Sequence, residues 1–344
     1  MTTIKDVARE AGVSVATVSR VFNESAVVSE GTRRNVREVA ERLNYWPNGA
    51  ARSLITNRTQ AIGVMLPDLF GEFYSEILRG MDCTARKAGF HLLVSSSHAD
   101  AHELVGALRT IRGRIDGLIV MAPDLDAGSA IRATAAALPL MLIAPEAGFE
   151  AHDTIAIANR KGAHAVVRHL VRLGHQRIAT IAGPARNADA LQRLEGYRAA
   201  LRARGADALE ILGDFTEPSG YEAGARLLKL HPRPSAVFAA NDYMAIGVMG
   251  ALSDAGVRVP EDIAVVGFDD IPMARYLNPA LTTVHVDAYR LGERAVERLL
   301  EPLSGLTGQA ICHEVLPATV VVRSSCGSSS ATRARHGAAR QRGR

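Results

Sequence analysis

The sequence predicts a small all-α helix-turn-helix domain, followed by an α/β core of two doubly wound subdomains. Three observations support this prediction. Two short helical patterns, separated by a glycine turn, fill the first residues of the chain. From residue 61, apolar strands alternate with amphipathic helices, and a second series of the same kind starts after residue 158. A length of 344 residues is sufficient for two or three domains.

The opening stretch reads as two helices joined by a tight turn. Thr3 is a plausible N-cap with Asp6 three residues later, and apolar residues follow at helical spacing. Gly12 should end this helix, and Ser14 can cap a second one that carries Val18 and Val21. Such a pair is typical of a helix-turn-helix motif, although a helical hairpin that only packs on itself has the same spacing.

One face of the second helix is free to contact another molecule, because its other face supplies the core. The residues on this face are Val15, Ala16, Ser19 and Arg20. Small apolar side chains can contact a thymine methyl, and arginine can pair with O6 and N7 of guanine. We therefore expect base contacts from Val15, Ala16 and Arg20. Phosphate contacts are expected from Ser14, Thr17 and Asn23.

Two further segments carry a resemblance to a known family. Residues 29–43 predict a third amphipathic helix, and residues 43–54 read LNYWPNGAARSL. Together with TIKDVA at 3–8, GVS at 12–14 and TVSRV at 17–21, this run resembles the opening of the lactose/galactose/purine-repressor (LacI/GalR) family of bacterial transcription factors. The resemblance extends over almost the whole chain.

The resemblance implies that residues 48–59 contain a hinge helix and linker. Asn48, Ala51 and Leu54 would then contact the minor groove, with Leu54 inserted into a base step to kink the duplex. An isolated helix of this length is too short to be stable in water, so we expect it to form only on DNA. The alternative is a plain interdomain linker.

The charge is distributed unevenly along the chain. Residues 1–58 hold nine Lys or Arg against six Asp or Glu, and residues 324–344 hold five arginines and no acid. The net charge of +4 therefore leaves −4 on the middle of the chain. A basic N-terminal segment on an otherwise acidic chain favours a polyanionic partner, here double-stranded operator DNA. The small, polar residues 324–344 predict a disordered basic tail.

The core should consist of parallel sheets covered by helices on both faces, because its strands are continuously apolar. Among the expected elements are a helix at 129–137, a strand at 209–215 and a strand near 314–322. By resemblance, this is a periplasmic-binding-protein-like core for effector binding and dimerisation, in which the chain crosses between lobes three times. The expected division is 1–47, 48–59, 60–323 and 324–344, with lobes at about 60–158 and 159–286 and with 287–323 shared.

Effector-binding residues are expected just after the strands, because ligands of open α/β sheets collect at the carboxyl ends. Carboxylate, amide, guanidinium and aromatic groups suit a hydroxylated ligand. Matched to family motifs, the candidates are Phe73, Tyr74, Arg193, Phe215, Asn241, Asp242 and Asp269. Asp242 and Asp269 could instead cap helices, and Phe215 could belong to the core. Many relatives carry an aspartate where this chain has Ala144 and Pro145, so a known relative's ligand cannot be transferred directly.

Other functional classes find little support in the sequence. His98, Asp100, His102 and Glu103 resemble a metal cluster but lack distant partners, so neither a metal nor a cofactor is expected. No phosphate loop, nucleophile elbow or HExxH motif is present, and a catalytic pair cannot be assembled. The three scattered cysteines, the lack of an apolar run of about 18 residues and the polar N-terminus favour a cytoplasmic protein.

The sequence therefore predicts a ligand-responsive transcriptional regulator, most simply a homodimeric repressor released from a pseudo-palindromic operator by a sugar or sugar acid. It would be cytoplasmic, and associated with the nucleoid when bound to DNA. A repressor that needs a purine or nucleoside corepressor is the alternative effector class. A cytoplasmic sugar-binding protein or an enzyme without DNA function is the alternative from a different class.

Overall fold

The structure, a computed structural model, describes residues 2–22, 27–46, 58–98, 100–121, 128, 131, 138–144, 149–304 and 310–327. The chain divides into two compact units, Met1–Gln60 and Ala61–Arg344. Within the described residues, no helix combines the length and the apolar character needed to cross a membrane.

The first unit contains three helices whose ends follow local sequence signals. They are α1 (Ile4–Glu10), α2 (Val15–Phe22) and α3 (Glu30–Arg42). The Asp6 carboxylate accepts a hydrogen bond from the Thr3 backbone N–H at 3.0 Å, which completes a capping box. Ser29 caps α3 by accepting from the Thr32 N–H, and Gly12 adopts a φ of +65° after α1. The predicted helix-turn-helix arrangement is thus confirmed.

The three helices bury one small apolar cluster. Its members come from all three helices and are Val7, Ala8, Ala11, Val18, Val21, Val36, Val39 and Ala40. Because this cluster uses Val18 and Val21 of α2, the opposite face of that helix remains on the surface.

The first lobe of the second unit is built on a six-stranded sheet. Its strands are parallel throughout and follow the order β11 (His313–Leu316), β5 (Asp153–Ile157), β4 (Leu140–Ile143), β3 (Gly117–Met121), β1 (Ala61–Leu66) and β2 (His91–Ser96). The elements in chain order are β1 (Ala61–Leu66), α4 (Glu72–Lys87), β2 (His91–Ser96), α5 (Ala101–Ile111), β3 (Gly117–Met121), β4 (Leu140–Ile143) and β5 (Asp153–Ile157).

The second lobe is built on a parallel four-stranded sheet of order β7-β6-β8-β9. Its elements are α6 (Asn159–Arg172), β6 (Ile178–Ala182), α7 (Ala188–Arg202), β7 (Leu209–Leu212), α8 (Glu217–Leu227), β8 (Ala236–Ala239), α9 (Asp242–Asp254), β9 (Ala264–Val266) and a 3-10 turn (Pro272–Arg275). The remaining elements are β10 (Thr283–Val286), α10 (Ala288–Leu303), β11 (His313–Leu316) and β12 (Ala318–Val321).

The chain passes between the two lobes at three places. It leaves the first lobe after β5, returns from β10 to α10, which packs on α4, and leaves again between β11 and β12. β11 pairs in parallel with β5, whereas β12 pairs antiparallel with β10. The three crossings that the resemblance implied are present.

Three expected elements differ from the structure or lie outside it. The strand expected near 314–322 is two strands in different sheets, separated by Pro317, which has no N–H to continue a ladder. The strand expected at 209–215 ends at Leu212, and Phe215 lies in a turn with a φ of +73°. Most of the helix expected at 129–137 lies outside the described residues.

Candidate functional site

The exposed face of α2 forms the first candidate site. Ser14 begins this helix, because its hydroxyl oxygen accepts a hydrogen bond from the Thr17 N–H at 3.1 Å. Val15 is 42% exposed although it is apolar, and Ala16 and Arg20 are exposed beside it. Ser19 and Thr17 are half-buried at the edges of this face. An exposed valine and alanine next to an arginine can contact thymine methyl groups and a guanine edge.

Four expected DNA contacts cannot be placed on this face. Asn23, Asn48, Ala51 and Leu54 lie outside the described residues, as does the proposed hinge helix.

A cavity of about 710 Å³ lies between the two lobes and forms the second candidate site. The first lobe contributes residues that follow β1, including Phe73 and Tyr74, and the second contributes residues that follow β6, β7, β8 and β9. Ligands in open α/β folds occupy this position because the carboxyl ends of the strands converge there. The volume is in the usual range for a site that holds one small molecule.

Arg193 lies at the centre of the polar wall and is only 4% exposed. Its Nε donates to Asn159 Oδ1 at 2.8 Å, and its Nη1 donates to the Ala240 carbonyl at 2.7 Å. The guanidinium carbon also lies 3.9 Å from the centre of the Phe268 ring. These contacts fix the plane of the guanidinium and leave Nη2 available to donate to a ligand oxygen.

Asp269 stands next to Arg193 in the same wall and is 7% exposed. Its Oδ1 forms an ion pair with Arg193 Nη1 at 3.0 Å but accepts no hydrogen bond within the part of the chain that the structure describes. Burial raises the pKa of Asp269 to about 6, with Arg193 opposing the shift and Asp189 adding to it. A buried oxygen in this situation gains most from a donor such as a ligand hydroxyl.

Asp189 also lines the cavity, and Asn159 is fully buried next to it. The sequence had not singled out either residue. The Asn159 side-chain amide donates to Asp189 at 2.7 Å while its oxygen accepts from Arg193, so Asn159 links the two charged groups. Asn159 lies at the start of α6 and Asp189 near the start of α7. Asp189 follows β6, so its position after a strand could have identified it as a candidate. No motif or position in the sequence pointed to Asn159.

Two of the expected effector ligands have structural roles. Asn241 lines the cavity, but its Oδ1 caps α9 by accepting from the Met244 N–H, and its amide donates to the Phe215 carbonyl. Asp242 does not line the cavity, which corrects the expectation from the sequence. It is fully buried, and its carboxylate accepts from Thr283 Oγ1 at 2.5 Å and from the Ile271 N–H at 2.9 Å.

The difference between Asn241 and Asp242 arises from the helix that they begin. Asn241 is the N-cap and Asp242 the first helical residue, so the two side chains point to opposite sides of the α9 entrance. Burial, with a contribution from Asp269, raises the pKa of Asp242 well above its usual value. Asp242 therefore stabilises the turn after β9 through its hydrogen bond with the Ile271 N–H.

Aromatic rings form the apolar walls of the cavity. Phe73 and Tyr74 pack edge to face with their ring centres 5.6 Å apart, and Phe215 approaches from the opposite lobe. Gly183 allows this placement of Phe215, because a Cβ at that position would lie 2.4 Å from the ring carbon Cζ. Rings around a polar wall suit a ligand with both an apolar face and hydroxyl groups.

The two lobes also touch each other beside the cavity. The N–H of Glu72, the first residue of α4, donates to the Tyr243 hydroxyl oxygen at 2.8 Å. The Glu72 carboxylate accepts from the Met273 N–H at 2.9 Å. These contacts connect first-lobe and second-lobe residues across the mouth of the cleft, so they depend on how far the lobes are closed.

The histidine-rich segment after β2 forms no metal centre among the described residues. Asp100 caps α5 through the N–H groups of His102 and Glu103. His98 forms a 2.5 Å contact with Glu103, which raises the pKa of the imidazole, and it lines the cavity. His98 is thus part of the cavity wall, a position that the sequence had not suggested.

Comparison with known proteins gives consistent matches over most of the chain. Residues 3–48 match the family described as bacterial regulatory proteins, lacI family, and residues 167–326 match the periplasmic binding protein-like domain. The ribose operon repressor of Escherichia coli K12 is 38% identical over 316 residues, covering 90% of this chain and 95% of that protein. The transcriptional repressor PurR of Photobacterium profundum is 34% identical over 331 residues, covering 94% and 98%.

Solved structures show the same similarity in three dimensions. The lac repressor dimer bound to operator and the anti-inducer ONPF matches with a TM-score of 0.84 and 33% identity, covering 94% of this chain and 99% of that one. A LacI-family regulator from Enterococcus faecium with bound ribose matches with a TM-score of 0.68 and 27% identity, covering 77% and 98%.

Proposed function

The chain belongs to the lacI family of bacterial regulatory proteins, and we propose that it represses transcription until a ribose-like sugar enters its cleft. As a member of this family it is a ligand-responsive, DNA-binding transcriptional regulator and not an enzyme. Its operator, its effector and the residues that contact them are the parts of the function that require proposals.

The first unit is the proposed DNA-reading domain. Val15, Ala16 and Arg20 are assigned to base edges in the major groove, because α2 presents them on its exposed face. Ser19 is assigned to the periphery of the same interface with the major groove. Ser14, Thr17 and Asn23 are assigned to phosphates, which position the helix without reading sequence. Asn48, Ala51 and Leu54 are assigned to the minor groove on the basis of the family motif alone.

The observation that carries the effector assignment is the pair of Arg193 and Asp269 in the wall of the cleft. The guanidinium offers donors, and the buried Asp269 Oδ1 needs one, so together they fit the adjacent hydroxyl groups of a sugar. Phe73, Tyr74 and Phe215 supply apolar faces around this pair. Two of the similar proteins are named for ribose or contain it.

Coupling between effector and operator is proposed to run through the position of the lobes. A sugar that touches both walls stabilises one lobe arrangement by the difference in its affinity for the two arrangements. The contacts of Glu72 with Tyr243 and Met273 join the two lobes at the cleft mouth, so opening of the cleft would break them. A change at this mouth is then transmitted through the three crossings near residues 158, 287 and 317.

The protein is proposed to act as a homodimer in the cytoplasm, located at the nucleoid when it is bound to DNA. A twofold protein matches a pseudo-palindromic operator, with one α2 in each of two major grooves. We assign residues 1–47 to DNA reading, 48–59 to the hinge and 60–323 to effector binding and dimerisation. The disordered tail expected at 324–344 is corrected at its start, because Ser325 and Cys326 are buried and the Ser325 hydroxyl donates to the Val265 carbonyl at 2.6 Å. Residues 328–344 of that tail lie outside the described residues.

A purine-type corepressor is the second candidate effector class, because PurR repressors from several species are similar in sequence. The aromatic walls of the cleft could stack on a base. In that case the ligand would strengthen operator binding instead of weakening it, so the sign of the effect separates the two classes.

Fluorescence anisotropy of the full-length protein tests the proposal. A labelled duplex from the region upstream of the gene is titrated with and without D-ribose, other neutral sugars and hypoxanthine. We expect D-ribose to weaken operator binding about tenfold or more, which corresponds to about 1.4 kcal/mol of coupling. Binding to a scrambled duplex should be weak and should not respond to the sugar.

Two variants of α7 make the test specific to the cleft. Arg193→Lys should retain operator binding but lose the response to D-ribose, because lysine cannot reproduce the fork of donors. Arg202→Lys, on the exposed side of the same helix, is the matched control and should behave as the unaltered protein. If hypoxanthine strengthens operator binding and no sugar weakens it, the sugar assignment is wrong and the purine assignment takes its place.

A further inference from the structure

The charges that line the cleft are strongly unbalanced. Among the described residues, five with a carboxylate line the cavity, against one with a guanidinium and one with an imidazole. The carboxylates are Asp68, Asp189, Asp214, Glu217 and Asp269. Both lobes contribute to this set, since Asp68 follows β1 and the others belong to the second lobe.

Both basic groups are already paired within the protein. Arg193 contacts Asp269, and its Nε and Nη1 donate to other protein oxygens. His98 is paired with Glu103 at 2.5 Å. A ligand with a phosphate or carboxylate needs positive charge that is not yet compensated, and neither group supplies it.

Among the described residues, Arg186 in the loop after β6 is a further cation near these strand ends, but it is exposed and does not line the cavity. The Asp189 carboxylate adds to the raised pKa of Asp269, which shows that negative charges in this wall already repel one another.

We propose that the cleft selects its effector by charge, accepting an uncharged sugar and excluding the phosphorylated and acidic forms of the same sugar. This inference rests on the proposed function and narrows it, because it removes sugar acids from the effector class that the sequence had allowed. The regulator would then respond to the sugar before a kinase or an oxidising enzyme acts on it.

Glu217 is the residue through which this selection can be tested. It lies on the cavity wall at the first position of α8, it is exposed, and it makes no contact with Arg193 or Asp269. Replacement by glutamine removes one negative charge and keeps the shape of the side chain. Glu222→Gln, on the exposed side of the same helix, is the matched control.

Calorimetric titration of the full-length protein without DNA provides the measurement, with D-ribose, D-ribose 5-phosphate and D-ribonate as probes. We expect D-ribose to bind at least about tenfold more tightly than either anion at low salt. This difference in affinity should decrease as the salt concentration rises above about 0.1 M, because the screening length there falls below roughly 10 Å. Glu217→Gln should decrease the difference in affinity between D-ribose and D-ribose 5-phosphate, while Glu222→Gln should leave that difference unchanged.

The outcomes separate this inference from the function on which it rests. Equal or tighter binding of an anion, with operator release by that anion, overturns charge selection but leaves a sugar-responsive repressor. If the difference in affinity between D-ribose and the anions depends neither on salt nor on Glu217, the shape of the cleft excludes the anions. This result also overturns the inference. If no probe binds while operator binding is intact, the proposed sugar class is itself wrong.

Discussion

Replacing Asp269 by asparagine should stabilise the effector-free protein at neutral pH while abolishing its response to sugar. The buried carboxylate titrates with a pKa of about 6, compared with 3.8 for an ordinary aspartate. At roughly 1.36 kcal/mol per pKa unit, keeping this group ionised costs the folded state about 3 kcal/mol. Asparagine has nearly the same shape and no charge, so it should recover a large part of this free energy.

The pH dependence gives the sign of the effect. The folded state binds the proton more tightly than the unfolded state, so the unfolding free energy falls as the pH rises. The penalty is absent below about pH 4, where the carboxyl is protonated in both states, and it is complete somewhat above pH 6. The advantage of Asp269→Asn should therefore grow from near zero at pH 4 to about 3 kcal/mol at pH 7.

Urea unfolding followed by far-UV circular dichroism at several pH values measures this advantage, at one fixed protein concentration because dimers are expected. Asp207→Asn, on an exposed loop, is the matched control and should show no such change. Trp46 is the single tryptophan and belongs to the first unit, so the transition seen by its fluorescence should not move. If Asp269→Asn destabilises the core at pH 7, the pair with Arg193 is net stabilising and the reasoning is refuted.

Three further predictions concern the other parts of the molecule. Arg20→Ala should weaken operator binding by about 1–3 kcal/mol and relax specificity at one base pair, and unchanged affinities for operator and scrambled DNA would refute the base contact. Gly183→Ala should push the Phe215 ring into the cleft, because the new Cβ would lie 2.4 Å from it. Calorimetry should then show D-ribose affinity lowered about tenfold or more, with operator affinity retained. Leu54→Gly should weaken operator binding in the anisotropy assay and leave D-ribose affinity intact. If the variant binds operator as tightly as the unaltered protein, Leu54 is not inserted into a base step.

The helix-turn-helix unit could be predicted closely from the sequence because its signals are local. The caps at Thr3, Ser14 and Ser29 and the glycine at position 12 act within a few residues of the helix ends that they set. The second unit followed from the same kind of reasoning, since continuous apolar runs mark buried parallel strands wherever they later pair. The family motifs added the three crossings between lobes.

The order of the strands and the composition of the site were decided by contacts between distant parts of the chain. Pro317 divides one apolar run into two strands, and only the tertiary structure assigns them to different lobes. Residues 159, 193, 240 and 269 meet in one polar wall although they are separated by up to 110 positions.

The neighbours Asn241 and Asp242 show the limit of sequence reasoning most clearly. Both follow the same strand and both match a family motif, so the sequence gives them equal standing as ligands. Only the position of α9 separates them, because it turns Asn241 towards the cleft and buries Asp242 against Thr283. The sequence by itself thus determined the kind of protein and the elements that form it. The tertiary structure decided which polar groups share the cleft, because the direction of a side chain depends on packing that involves the whole lobe.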